Sequence, residues 1–360
     1  MEYDLLIVGN GFDIASGYWT TCRDFLNCFD KKGVYSPLGD FFITAYGKDF
    51  VINDEWNGFE NQLCQYLEFL QYLFDDNGNV EGHFADERFE GVTGAYCFRI
   101  QNISSLPNNI YSILCLPNPL KRSLLLSADK NFKIGFAGID SYMSVPEEIY
   151  GLVYFVANPA TSNKRCVLKH LLEELENEWN RLEKQLQQFI KEATTGQPSG
   201  PEALKNHGAK RVLSFNYSDT AERLYGLSPE NVAHVHGDVS TSIVVGIEPS
   251  MITNQSVTEE SAFINFFKRF RRIYKNCNKD YNRKIMNNLT EESIIAIYGH
   301  SLDLSDRSIL EPFFEKKLQR YDIYCYKDTD AYKIKLARLI GLDLYDELEK
   351  DGKINLICVK

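Results

Sequence analysis

The sequence predicts an α/β fold, a Rossmann-like parallel sheet with a large helical and irregular insertion, on three observations. Leu5-Leu6-Ile7-Val8 is a short continuous apolar run ending at Gly9-Asn10-Gly11, the pattern of a buried parallel strand that delivers a tight loop to a helix. Comparable runs return only late, at 211–215, 232–235, 243–245 and 294–298, with 323–326 and 354–359 as outer strands. The stretch between differs in character, so the sheet is assembled from the two ends of the chain. Residues 1–23 and 205–360 are expected to form the nucleotide-binding core, and 24–204 the insertion.

Within the insertion, residues 24–74 read as helical. Residues 77–163 mix tyrosine, proline, glycine and short apolar clusters without a clean period, which predicts loops and short elements. Leu168, Leu171, Leu172, Leu175, Trp179, Leu182, Leu186, Phe189 and Ile190 then recur at three-and-four spacing, a strong amphipathic helix that stops before Gly196-Gln-Pro-Ser-Gly-Pro. An internal echo links Trp56 and Glu60 to Trp179 and Glu183 through Trp-Asn-x-apolar-Glu-x-Gln-Leu. Its plainer explanation is a helix anchored by tryptophan with glutamate outward. Glu60 is the better functional candidate of the two, because its helix follows the first glycine loop.

The 360 residues are 44% hydrophobic and 25% charged, which excludes collagen-like or wholly disordered readings. A formal net charge of -11 repels phosphate backbones and argues against nucleic acid as a partner. The basic stretch Lys268, Arg269, Arg271 and Arg272 reads as a solvated helix face. Nine scattered cysteines, with no CxxC pair and no Cys/His spacing suited to zinc, suit reduced thiols. No metal is expected. The absence of a basic leader and of a long apolar run predicts a cytoplasmic chain that neither enters nor crosses a membrane. A homo-oligomer is compatible with all of this.

Four motifs fall at the carboxyl ends of expected strands, where an open parallel sheet places its ligand. In the first, Gly9, Asn10, Gly11, Phe12 and Asp13, the glycines would let backbone approach a pyrophosphate at a helix start. Ile14 stands where the dinucleotide fingerprint has its third glycine, and no second strand ends in an acid about 20 residues on, so a nicotinamide dehydrogenase is disfavoured. In the second, Asn216 is placed to bond a ribose or a water, while Asn216 and Asp219 equally suit helix caps. In the third, His234 and His236 should alternate onto one face, with Gly237 leaving room for a ligand; a two-histidine metal site competes but lacks a third ligand. In the fourth, Gly299 and Ser301 suit a phosphate or ribose, and Asp303 and Asp306 suit either a ligand or the cap of the next helix.

In chain order, GNGFD, SFNYSDT, HVHGD and GHSLDLSD resemble the motif series of the AbiH abortive-infection family over nearly the whole chain. More distantly they resemble the sirtuin (SIR2)-like series: a glycine loop at Gly9 to Gly11, an asparagine loop at Asn216, a His-Gly at His236-Gly237 and a Gly-x-Ser at Gly299 to Ser301. Ser218 replaces the aspartate that sirtuins carry two residues after the asparagine, and their four-cysteine zinc module is absent, which argues against protein deacetylation.

The resemblance implies phage defence, with NAD as ligand or substrate and a phage component as trigger. The motifs and the resemblance together put catalysis at His236, Asn216 and Asp219, and nucleotide binding at Gly9, Asn10, Gly11, Phe12, Asp13, His234, Gly237, Gly299, Ser301 and Asp306. His236 would act as base or ribose-hydroxyl acceptor, Asn216 would orient the attacking water, and Asp13 or Asp219 would supply negative potential. The alternative is a non-catalytic nucleotide sensor or phage-component receptor acting through a partner. A metal-dependent nuclease is the least favoured reading.

Overall fold

The computed structural model describes residues 2–32, 60, 84–88, 95–100, 133–137, 152–156, 164–247, 264–275, 277 and 281–359. Six strands form the central sheet: β1 (Leu5–Val8), β2 (Val212–Ser214), β3 (Val232–His234), β4 (Ile294–Tyr298), β5 (Arg320–Tyr326) and β6 (Ile354–Val359). Every pairing in this sheet is parallel, and the spatial order is β3-β2-β1-β4-β5-β6. The helices whose bounds fall within the described residues are α1 (Asn10–Ala15), α2 (Cys22–Lys32), α3 (Lys164–Ala193), α4 (Thr220–Tyr225), α5 (Lys268–Tyr274), α6 (Tyr281–Lys284), α7 (Arg307–Glu315), α8 (Thr329–Ile340) and α9 (Leu342–Lys350).

β1 reads as continuous apolar residues because both of its faces are covered. Leu5 and Ile7 join Leu213, Ile295, Ile297 and Ile323 in one core, with residues of α7, α8 and α9. Leu6 and Val8 join Val212, Ala296 and Tyr298 in the other, with Phe12 of α1 and Ala221 of α4. The register has a direct consequence for function. Val8 pairs with both Ser214 and Tyr298, and Ser214 pairs with His234, so the loops after β1, β2, β3 and β4 leave the sheet at one level. Connections run outward in both directions from the β1/β4 pair, the position at which an open parallel sheet has its ligand crevice.

The chain divides into two compact units. One comprises Met1–Phe25, Glu183–Met251 and Phe267–Lys360 and holds the parallel sheet; the other comprises Leu26–Leu182 and Ile252–Phe266. In the second unit Phe84–Arg88, Ala95–Ile100, Leu152–Val156 and Lys133–Ala137 form an antiparallel sheet in that spatial order. There Trp179 is fully buried, with its ring centroid 5.0 Å from that of Phe266.

Several expectations need correction. Residues 243–245 do not form a sheet strand: Gly237, at φ 79°, turns the chain back on itself immediately after β3, and Ile243 makes an isolated antiparallel bridge to it. The expectation of short elements within residues 77–163 holds for the described residues there, which form the four strands of the antiparallel sheet. α3 extends at both ends beyond the periodic stretch that predicts it, and Glu183 on it is buried rather than outward. Lys268, Arg271 and Arg272 are likewise buried, and of that basic stretch only Arg269 is exposed. The helix predicted over 24–74 begins at Cys22; after Lys32 it lies outside the described residues, apart from Glu60, which is helical.

Candidate functional site

The glycine loop is built against the loop after β4. The Gly11 amide donates to the Gly299 carbonyl at 2.9 Å, and the Gly9 amide to that of Tyr298 at 3.1 Å. A Cβ at Gly9 would lie 2.6 Å from the Gly299 oxygen, and one at Gly299, whose φ is 68°, would lie 2.2 Å from the Phe12 nitrogen. These glycines are therefore demanded by backbone lying on backbone, not by an open space beside them. Phe12 itself is a core residue, fully buried in edge contact with Tyr298. Asn10 accepts a hydrogen bond from the Thr20 hydroxyl at 2.8 Å.

Beneath this junction Asp13 is buried, with the Ser218 hydroxyl 2.8 and 2.7 Å from its two oxygens and Thr220 donating to Ser218 at 2.9 Å. Burial pushes the Asp13 carboxyl up to about 6 despite these bonds. The Asn216 amide donates to the Gly9 carbonyl at 2.9 Å, so the residue expected to hold a water fastens the loop after β2 to the loop after β1.

A second cluster gathers four groups from separate parts of the chain. His236 Nε2 lies 3.1 Å from Asp306 Oδ1, Lys268 Nζ lies 3.4 Å from the same oxygen, and His300 Nε2 faces Asp306 Oδ2 at 3.5 Å. All four residues are buried. Phe215 packs edge-on against both imidazoles, with centroids 5.7 Å from His236 and 4.4 Å from His300. Burial would raise the Asp306 carboxyl, but Lys268 and the two histidines outweigh it and hold the group well below the usual carboxylate range. Burial, with help from Lys268 and Arg272, pushes the His236 imidazole down to about 4, so it is neutral near pH 7. Its Nδ1 is buried and has no hydrogen-bond partner among the described residues. Asp306 does not cap α7 with its side chain; the capping expectation holds instead for Asp303, which accepts from the Ser305 amide.

The remaining expected residues stand apart from this cluster. His234 and His236 do not share a site as their alternation suggested. His234 Nδ1 donates to the Asn216 carbonyl at 3.0 Å and Nε2 to Glu222, whose charge holds the imidazole above its ordinary range against the opposing effect of burial. Asp219 is exposed, makes no capping bond, and pairs with Arg223 at 2.8 Å. The space beside Gly237 is filled, since a Cβ there would lie 1.8 Å from the Ser242 carbonyl oxygen. Ser301 is half-buried. Among the described residues no group of three or more His, Cys, Asp or Glu is arranged to hold a metal ion.

Lys268 and His300 are absent from the residues to which sequence reasoning gave a role. A signal for Lys268 existed: Lys268, Arg271, Arg272 and Lys275 follow i, i+3, i+4, i+7 spacing, which marks the inward face of a helix whatever the residue type. Arg271 and Lys275 are held by Glu183, which accepts from Arg271 Nη2 at 2.6 Å and Nε at 3.1 Å, from Lys275 Nζ, and from the Val245 amide at 2.9 Å.

Comparison with curated proteins and with solved structures returned no match. A family model described as Bacteriophage abortive infection AbiH matches residues 147–325, a span that contains His236, Lys268, His300 and Asp306. Among the described residues no helix is long and apolar enough to cross a membrane. The chain belongs to the AbiH family, and that membership implies a part in abortive-infection defence against bacteriophage.

Proposed function

We propose that the chain serves this defence through a sirtuin-like Rossmann core, which binds an NAD-like nucleotide at the carboxyl edge of the sheet and hydrolyses NAD on infection. The observation that carries the reading is the strand order: numbered along the chain it is 3-2-1-4-5-6, the order of doubly wound sheets that bind dinucleotides across their switch point. The unpartnered Nδ1 of His236, at that same edge, suits a ribose hydroxyl. The glycine loop supports the reading less directly, because Gly9 and Gly11 are already required by their contact with Gly299.

In this reading water adds to the anomeric carbon of the nicotinamide ribose while the C–N bond breaks, and nicotinamide leaves with the bonding electron pair. The proton released by water passes to solvent. An imidazole held near 4 is a weak base at neutral pH, so His236 acts by accepting a hydrogen bond from the hydroxyl it orients rather than by storing a proton. A phage component supplies the trigger.

The test is release of free nicotinamide from NAD by the purified protein, with and without lysate from infected cells, beside His236→Ala. Wild-type release that falls about 10²–10⁴-fold in the variant is the expected result; equal release by both would overturn the role of His236. One observation favours a second reading, a nucleotide sensor acting through a partner. The Asn216 amide is already committed to Gly9, which leaves the water-holding role without its residue. Calorimetric binding of NAD without turnover under any condition would select that reading.

A further inference from the structure

We propose that Asp306, backed by Lys268 and His300, is a positioning residue that holds His236 as the neutral tautomer protonated on Nε2. This keeps Nδ1 as the acceptor for a hydroxyl-bearing ligand. The ligand's identity as a ribose rests on the NAD reading above, whereas the tautomer does not.

The argument is one of proton placement. Asp306 is an acceptor when ionised, so the nitrogen 3.1 Å from its Oδ1 must be the one that carries hydrogen. A neutral imidazole has one N–H, and Nδ1 of His236 is therefore a lone pair. The ammonium of Lys268, 3.4 Å away, keeps the carboxylate charged.

His300 is fixed in the same sense by an independent contact. The Leu302 amide donates to its Nδ1 at 3.0 Å, which puts the His300 proton on Nε2, facing Asp306. Leu302 adopts φ 54°, a left-handed conformation that a leucine keeps only when its surroundings hold it, and its side chain is buried. Two imidazoles thus turn N–H groups toward one carboxylate. The outward lone pair of one is satisfied by backbone, and that of the other is left bare in a buried place, an arrangement native proteins seldom keep without a use.

The charged and titratable groups that act on His236 are Lys268 and Arg272 from α5, and Asp306 before α7. His300, from the loop after β4, reaches His236 through the carboxylate they share. The two cations oppose a second proton on the ring, so the tautomer persists across neutral pH.

Nitrogen-15 NMR of the histidine side chains from pH 6 to 8 tests the proposal directly, in the wild type, Asp306→Asn and His300→Gln. The expected wild-type spectrum has His236 protonated on Nε2 and bare on Nδ1 throughout, with the proton redistributed between the nitrogens in Asp306→Asn. Should that variant fail to fold, His300→Gln is expected to show partial redistribution. Protonated Nδ1 in the wild type, or an unchanged tautomer in both variants, would overturn the positioning role.

ADP-ribose is then added to the wild type, and the Nδ1 resonance is expected to move. Calorimetric binding without such movement overturns the acceptor role. Absence of ADP-ribose binding removes the nucleotide reading instead, and the tautomer result alone then decides the role of Asp306. Where NAD is turned over, Asp306→Asn lowers kcat, by no more than His236→Ala does, because it misplaces the proton of the imidazole that His236→Ala removes. A rise in KM with kcat unchanged would contradict it.

Discussion

Asp13 is a buried acid whose proton is held more tightly in the folded protein than in the unfolded chain. Its carboxyl titrates near 6 instead of 3.8, so the stability it contributes is full below about pH 3.8 and is lost as pH rises through 6. Asn has the same shape, keeps an acceptor for Ser218, and never ionises. Asp13→Asn is therefore expected to exceed the wild type in stability above pH 6, by at most about 3 kcal/mol, and to lose that advantage below pH 4. Urea denaturation at pH 4 and pH 8 checks this, and a difference independent of pH would refute it. Gly299 presents a steric case at the same scale. With φ 68° and a Cβ position 2.2 Å from the Phe12 nitrogen, Gly299→Ala should cost roughly 3 kcal/mol or more, read from the denaturation midpoint.

At the scale of elements, α3 and α5 are joined through Glu183, a buried carboxylate serving Arg271 and Lys275 as well as the Val245 amide. Removing it takes away the buried carboxylate that Arg271 and Lys275 share, so Glu183→Ala should cost roughly 3–5 kcal/mol. A loss below about 1 kcal/mol in chemical denaturation would show that the cations find other partners.

This joint also shows where sequence reasoning reaches its limit. The strands are legible because a strand covered on both faces must be apolar throughout, and α3 is legible because burying one helical face imposes a period. The partnerships are not legible: Glu183 and Arg271 stand 88 positions apart, and His236 and Asp306 stand 70 apart, so no local pattern announces them. The inward turn of Lys268, Arg271 and Arg272 was hidden by residue type, since charge is ordinarily a sign of solvation and spacing alone argued otherwise. The four motifs were found at strand ends, yet only the three-dimensional contacts separate His234, paired with Glu222, from His236, paired with Asp306.

For the whole molecule, two of the perturbed groups at the carboxyl edge, His236 and Asp13, oppose each other. The His236 imidazole, pushed down to about 4, contributes stability that is present above about pH 6.5 and lost as pH falls through 4. Asp13 has the reverse dependence over nearly the same window. Between pH 4 and 6 the two slopes nearly cancel, each about 1.4 kcal/mol per pH unit at most. Asp13→Asn should unmask stability that rises with pH, and His236→Gln stability that falls with pH. Thermal melts across the window test the pair, and slopes of the same sign in both variants would contradict the assignment.

The strand order has a further consequence, for synthesis on the ribosome. β1 sits at the centre of the sheet, but its neighbours β2 and β4 are encoded more than 200 and nearly 290 residues after it. At translation speeds of about 5–20 residues per second, Leu5-Leu6-Ile7-Val8 waits roughly 10–40 s before the first of them, β2, exists. Throughout that interval this apolar strand has no native edge to join, which makes the nascent chain a client for chaperones.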